Sequence, residues 1–139
     1  MIASLRFRPL GSGYPCAQER LAPRKMHALP ILSVAAVGAV KGGAFSDVRI
    51  VAGPVADRPL RLRDVEAFLE GRPTEAAVAR EAGALAAQLC HPRGSPLRGS
   101  AECRQHLVGV LVRRALERIA GSAEGGEGWS DADAEHGGQ

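Results

Sequence analysis

The stretch from residue 29 to residue 53, LPILSVAAVGAVKGGAFSDVRIVAG, decides the fold of this 139-residue chain. Its first half, Leu29–Val40, is apolar on both alternating faces, which predicts a strand covered on both sides. Lys41-Gly42-Gly43 then supplies the positive φ of a tight turn, and Phe45–Ala52 alternates apolar with polar residues. The sequence therefore predicts a β-hairpin.

A short edge strand and three helices are predicted to follow this hairpin. Gly53-Pro54 ends the second strand, and Val55–Leu60 is restricted to a sheet edge because Pro59 cannot donate a ladder hydrogen bond. Beyond it, apolar residues recur at helical spacing. The predicted helices run from about Leu62 to a stop at Gly71, from an N-cap at Thr74 to a stop at His91-Pro92, and from an N-cap at Ser100 to about Ile119.

Strands followed by helices are typical of an α+β fold. We therefore predict an antiparallel sheet of three to four strands, followed by and packed on three helices as a two-layer sandwich. This domain spans residues 28–120. Residues 1–27 have no usable periodicity and are predicted to be an irregular N-terminal arm. Residues 121–139 are rich in Gly, Ser, Asp and Glu, which predicts a disordered acidic tail.

The charge is unevenly distributed along the chain. The net charge is +3, but the five acidic residues after residue 120 leave 18 basic and 10 acidic residues, or +8, in the preceding part. A basic body with an acidic tail is compatible with a nucleic-acid-binding module. The basic residues are scattered rather than clustered, however, and aromatic residues for stacking on bases make up only 4% of the chain. We therefore expect no nucleic-acid partner.

The cysteines and the hydropathy pattern indicate a cytoplasmic protein. An odd number of cysteines, Cys16, Cys90 and Cys103, without a pairing rhythm predicts reduced thiols. The first residues lack the continuous apolar run of a secretory signal. The longest apolar stretch, Leu29–Val40, is shorter than the ~20 residues that span a bilayer, so no membrane insertion is expected.

Metal and nucleophile sites receive little support from the spacing of Cys and His. Cys90 and His91 are adjacent and point in different directions, while Cys103 and His106 lie inside a predicted helix without a second chelating pair. A Cys–His nucleophile from Cys103 with His106, or from Cys90 with His27, has no group that orients the histidine. We predict neither a metal site nor a catalytic residue.

Two glycine-rich segments and one arginine-flanked segment remain. Gly42-Gly43 is interpreted as a hairpin turn and Gly11-Ser12-Gly13 as part of the arm, since neither has the spacing of a phosphate loop. The segment Arg98–Arg104, RGSAECR, could bind an anion at a helix N-terminus. The favoured alternative is an ordinary capped helix whose arginines fix the preceding loop.

Four segments in fixed order resemble the C-terminal domain of the FAD-binding (medium) subunit of molybdenum hydroxylases, the xanthine dehydrogenase and carbon monoxide dehydrogenase flavoprotein family. The resemblance covers about residues 21–120. No single motif is decisive, and its specificity comes from the order, the spacing and the ending, R-G-S-A-E-x-R followed by L-x-R-R-A-L, taken together. The segments are Arg24–Ala36, Asp47–Leu62, Val65–Gly71 and Arg98–Leu116.

The resemblance implies a piece of an oxidoreductase that covers part of a flavin site while electrons pass from molybdenum and iron–sulfur centres to FAD. The implied partners are an FAD-binding domain or subunit, a molybdenum-cofactor subunit and an iron–sulfur subunit. The family's Gly-rich FAD-binding domain should precede this region, so we expect a truncated or split gene product that neither binds FAD nor turns over alone. Arg24 and Lys25 match a basic pair on the flavin side and are the candidate cofactor-binding residues, although a solvated charge pair is the slightly favoured alternative. Cys103 stands where the family has Tyr.

Two alternatives of other classes remain open at this point. One is a small basic nucleic-acid-binding module, which requires a contiguous arginine face and salt-dependent affinity. The other is an orphan fragment without present activity.

Overall fold

The chain forms an open antiparallel sheet backed by helices, as predicted. A computed structural model describes residues 2–6, 9–11, 13–22, 29–96 and 99–125. The described part contains four strands and three helices: β1 (Cys16–Leu21), β2 (Leu32–Lys41), β3 (Ala44–Gly53), β4 (Leu60–Arg61), α1 (Arg63–Leu69), α2 (Ala76–Leu89) and α3 (Ala101–Gly125). The strands lie in the order β1-β2-β3-β4 and every neighbouring pair is antiparallel.

The predicted hairpin forms the centre of the sheet. β2 and β3 pair around Gly42 and Gly43, which both have the positive φ that the sequence predicts (57° and 76°). The register shifts between Val37 and Ala39, opposite Asp47, whose φ of 49° marks the irregularity in β3. The backbone N–H of Asp47 donates to Glu70 Oε2 at 2.9 Å, so this carboxylate satisfies a donor that the ladder leaves free.

The edges of the sheet differ from the prediction. Residues 16–21 were predicted to lie in an irregular arm, but they form the edge strand β1 in register with β2. The alternation of apolar and polar residues that would predict this strand is weak, because the charged Glu19 occupies an inward-facing position. There Arg118 of α3 contacts the Glu19 carboxylate at 2.9 Å. At the other edge, the strand predicted at Val55–Leu60 is not formed over Val55–Pro59, and only Leu60 of that range lies in β4 (Leu60–Arg61).

The helices cover one face of the sheet. α3 packs across β1 and β2, α1 packs on β3, and α2 packs against α3 and α1. The apolar stripe predicted on the third helix faces the sheet. Its fully buried members are Val108, Val112, Ala115, Leu116 and Ile119, and the inward-facing sheet residues beneath the helices include Leu32, Val34, Ile50 and Ala52.

The helix ends confirm one predicted cap and correct another. Ser100 caps α3, since its Oγ accepts a hydrogen bond from the N–H of Cys103 at 3.2 Å. Thr74 does not cap α2: Glu75 occupies the N-cap position, and the Thr74 hydroxyl instead donates to the carbonyl of Gly43 at 3.2 Å.

The third helix extends beyond its predicted end at Ile119. It runs to Gly125, so the prediction of disorder is wrong for residues 121–125, and the rest of the predicted tail lies outside the described residues. In the described part of the chain, no helix combines the length and the apolar character that crossing a bilayer requires.

Two glycines, Gly83 and Gly109, face each other where α2 packs against α3. A Cβ added to Gly83 would lie 2.5 Å from the carbonyl oxygen of Gly109, and one added to Gly109 would lie 2.7 Å from that of Gly83. Both obstacles are backbone atoms that cannot rotate away. The helix pair therefore depends on glycine at the crossing.

We predict that Gly83→Ala destabilises the chain by about 2 kcal/mol, because the helices must separate against a packed core. The matched control is Gly121→Ala in α3, where nothing lies within 4 Å of an added Cβ. There the better helix propensity of Ala should stabilise the chain by about 0.5–1 kcal/mol. Urea unfolding followed by circular dichroism measures both changes, and equal effects of the two substitutions would contradict the crossing geometry.

Candidate functional site

The face of the sheet opposite the helices is not covered by any described residue range. We call it the open face. It is defined by the outward-pointing residues of the four strands: Cys16, Gln18 and Arg20 of β1, Ser33, Ala35 and Val37 of β2, Arg49, Val51 and Gly53 of β3, and Arg61 of β4. All of them are exposed or half-buried, whereas their strand neighbours in β2 are buried against the helices.

Strand register arranges the centre of the open face in rows. Gln18 is paired with Ala35, Ala35 with Val51, and Val51 with Arg61, so one row crosses all four strands. The row has small apolar residues in the middle, and Val51 is 37% exposed. An antiparallel sheet with one solvated face normally carries polar residues on that face. The centre of the open face departs from this pattern, since Ala35 and Val51 lie side by side there.

Arginines surround this apolar centre on several sides. Arg49 pairs with Asp47 at 3.1 Å and Arg61 pairs with Glu66 at 2.9 Å, both at the β3–β4 side of the sheet. Arg20 lies on β1 at the opposite edge, beside Ser33. The surface thus combines an apolar middle with a charged rim, which is the usual composition of a protein–protein interface.

Glu66 joins α1 to the free edge of β3. Its Oε1 accepts hydrogen bonds from the backbone N–H of Ile50 and from Arg61 Nε, both at 2.9 Å. Burial alone would raise the pKa of this carboxyl. The hydrogen bonds from Arg61 and from the Ile50 N–H outweigh burial, so the pKa of Glu66 lies below its ordinary value. The carboxylate is therefore a structural contact that holds the edge beside the open face.

The candidate cofactor residues Arg24 and Lys25 lie outside the described residues. They belong to the connection between β1 and β2, whose ends meet where the N–H of Ile31 donates to the carbonyl of Leu21 at 2.7 Å. Their contact with a flavin stays a prediction.

The cysteines and histidines do not converge in the described part of the chain. Cys90 is fully buried, and burial raises the pKa of its thiol to about 11. Cys103 and the two histidines His91 and His106 are exposed. Within the described ranges no three side chains of His, Cys, Asp or Glu approach one another closely enough to hold a metal ion. His27 lies outside these ranges.

Arg104 fixes the loop before α3, as the favoured interpretation of the RGSAECR segment predicted. Its Nη1 donates to the carbonyl of Arg93 in that loop. Its Nη2 donates to the carbonyl of Pro54 at 2.5 Å and reaches that of Ile31 at 3.5 Å. The last two contacts were not predicted, because nothing local in the sequence connects residues so far apart.

Comparison with known proteins gives one consistent result. The family described as CO dehydrogenase flavoprotein C-terminal domain matches residues 18–119. The carbon monoxide dehydrogenase medium chain of Afipia carboxidovorans is 34% identical over 116 residues, which are 84% of this chain and 39% of that protein.

Solved structures of two oxidoreductases share the fold. A chain of carbon monoxide dehydrogenase from Hydrogenophaga pseudoflava is 31% identical with a TM-score of 0.73, over 79% of this chain and 38% of that one. A chain of quinoline 2-oxidoreductase from Pseudomonas putida 86 is 26% identical with a TM-score of 0.74, over 83% of this chain and 39% of that one. The chain thus spans about two-fifths of the length of the relatives it matches.

We predict that Glu66→Gln makes the free energy of unfolding less dependent on pH in the acidic range. A carboxyl whose pKa is lowered by folding stabilises the protein above its unfolded pKa of about 4.3 and loses this contribution as pH falls through the folded pKa. Thermal unfolding should therefore show a loss of about 1–2 kcal/mol at pH 7 that shrinks towards pH 3.

The control for this experiment is Glu81→Gln, because Glu81 is 63% exposed and lies 4.0 Å from its ion-pair partner Arg72. This change should have little effect at either pH. If Glu66→Gln lowered the free energy of unfolding equally at every pH, the result would contradict a stabilising role of the ionised Glu66 carboxylate.

Proposed function

The chain belongs to the family of the CO dehydrogenase flavoprotein C-terminal domain, and from this premise we propose that it covers the flavin site of a molybdenum hydroxylase. In this proposal it is part of the FAD-binding (medium) subunit and packs through the open face against the FAD-binding domain. The observation that carries the docking proposal is the apolar centre of the open face, with Ala35 and Val51 exposed side by side. The free energy falls when a partner removes such an apolar surface from water.

The described residues do not fit a complete FAD molecule. Two clefts among the described residues have volumes of about 230 Å³, between α2 and α3, and about 350 Å³, beside Arg104. Neither is lined by Phe, Tyr or Trp, or by a Gly-rich loop at a helix N-terminus of the kind that is typical of dinucleotide sites. We therefore assign FAD binding mainly to the domain against which this chain packs.

Arg24 and Lys25 are proposed to approach the flavin from the β1–β2 connection. The support is their resemblance to the basic pair of the family and their position in the sequence between β1 and β2. Two cations near a flavin favour its negatively charged states over its neutral ones. In this role the pair acts electrostatically, and no proton transfer is assigned to either side chain.

The relatives support a proposal about the other subunits with which the flavin subunit assembles. A carbon monoxide dehydrogenase and a quinoline oxidoreductase share this fold, and both are oxidoreductases. We propose that molybdenum-cofactor and iron–sulfur subunits assemble with the flavin subunit to which this chain contributes, in the cytoplasm. The chain itself supplies packing and exclusion of water rather than a reacting group, so we expect no turnover by the isolated chain.

The open face predicts the effect of a single charge at its centre. We expect Ala35→Glu to weaken association with an FAD-binding domain at least about tenfold, because a long charged side chain must be desolvated and accommodated where the partner packs against a methyl group. Ala35 is exposed, so the isolated variant should fold normally. The matched control is Ala67→Glu, at an exposed position of α1.

The measurement is co-expression of the tagged chain with the part of the Afipia carboxidovorans medium chain that it does not match. Flavin absorbance of the purified complex reports both association and cofactor retention. The wild type and Ala67→Glu should retain flavin, and Ala35→Glu should not. Absence of a complex with the wild type, or a complex that tolerates Ala35→Glu, would contradict docking through the open face.

A further inference from the structure

A cleft beside the first turn of α3 holds a buried positive charge. The cleft has a volume of about 350 Å³ and is bounded by the segment that follows β3, with Pro54 and Asp57, and by the segment that follows α2, with His91 and Arg93. The side chain of Arg104 forms its inner wall. Arg104 is only 5% exposed, although it carries a full charge.

The guanidinium of Arg104 is incompletely satisfied. It has five N–H donors, and three are directed to the carbonyls of Arg93, Pro54 and Ile31. Its Nε is buried and has no acceptor among the described residues. All three acceptors are neutral, and no carboxylate of the described ranges forms an ion pair with Arg104. A buried charge without a counter-ion is unfavourable.

A further feature makes the cleft attractive to an anion. Arg93 lies at its mouth, where it contacts Asp57 at 3.7 Å in a pair whose members are both 89% exposed. Such a pair is weak, so an incoming anion can replace Asp57 as the partner of Arg93. Arg104 is the fourth residue of α3, so the buried charge lies in the first turn of that helix.

We propose that this cleft binds the oxyanion group of a ligand, a phosphate or a carboxylate, between Arg104 and Arg93. Arg104 supplies the buried charge, and Arg93 closes the mouth over the bound group. The site is separate from the open face, and the proposal does not depend on the proposed flavin function. In the competing interpretation, Arg104 only holds the carbonyls of Arg93, Pro54 and Ile31 together and the cleft binds no ligand.

The test uses the full 139-residue chain and inorganic phosphate. Amide chemical shifts in ¹⁵N-labelled protein are followed while phosphate replaces chloride at constant ionic strength. We expect saturable shifts confined to the segments around Pro54–Asp57, His91–Arg93 and Arg104. A parallel titration with acetate separates the two sources of the anion, because a phosphate-bearing ligand predicts tighter binding of phosphate and a carboxylate-bearing ligand predicts the reverse.

Two substitutions keep the proposal falsifiable. Arg93→Gln, in an exposed loop, should weaken phosphate binding about fivefold, whereas Arg114→Gln, an equal change of charge on the exposed side of α3, should leave it unchanged. Arg104→Lys retains the positive charge but loses the planar set of guanidinium N–H donors, and should weaken phosphate binding at least about tenfold. Shifts that do not saturate by about 50 mM phosphate, or equal affinity of wild type, Arg93→Gln and Arg104→Lys, would overturn the proposal.

Discussion

The buried guanidinium of Arg104 is the contact on which the arrangement of α3 against the sheet depends. It joins the first turn of α3 to the loop before it, to the end of β3 and to the start of β2. A buried cation requires polar partners, and these carbonyls are available only when all four segments meet. One side chain therefore sets where the longest helix begins relative to both central strands. The core beneath α3 then completes the packing.

The position of α3 also determines which surface remains for function. With α3 on β1 and β2 and α1 on β3, the helices occupy one face of the sheet. The opposite face keeps an apolar centre of small residues, with arginines at its rim. Arg24 and Lys25 follow β1 in the sequence and precede β2, the strand that carries Ala35.

The sequence predicts the elements whose signals are local. The Gly42-Gly43 turn, the cap at Ser100 and the stripe of α3 depend on neighbouring residues, and all three are observed. β1 was missed because its signal comes from pairing with β2 and from Arg118, which lies 99 positions beyond Glu19. The contacts of Arg104 are equally non-local. For the site, the apolar residues on both faces of β2 predicted that the face opposite the helices is also covered. Arg24 and Lys25, in contrast, were candidates only through the family resemblance.

The cysteines of the chain allow a direct measurement of the docking face. Cys16 is exposed on the open face opposite Val37, Cys103 is exposed on α3, and Cys90 is buried and should not react. The rate of alkylation of each thiol is measured by mass spectrometry with and without the FAD-binding part of the Afipia carboxidovorans medium chain. The account predicts that the partner slows alkylation of Cys16 at least about fivefold and leaves Cys103 unchanged. Protection of Cys103 with Cys16 still reactive would contradict it.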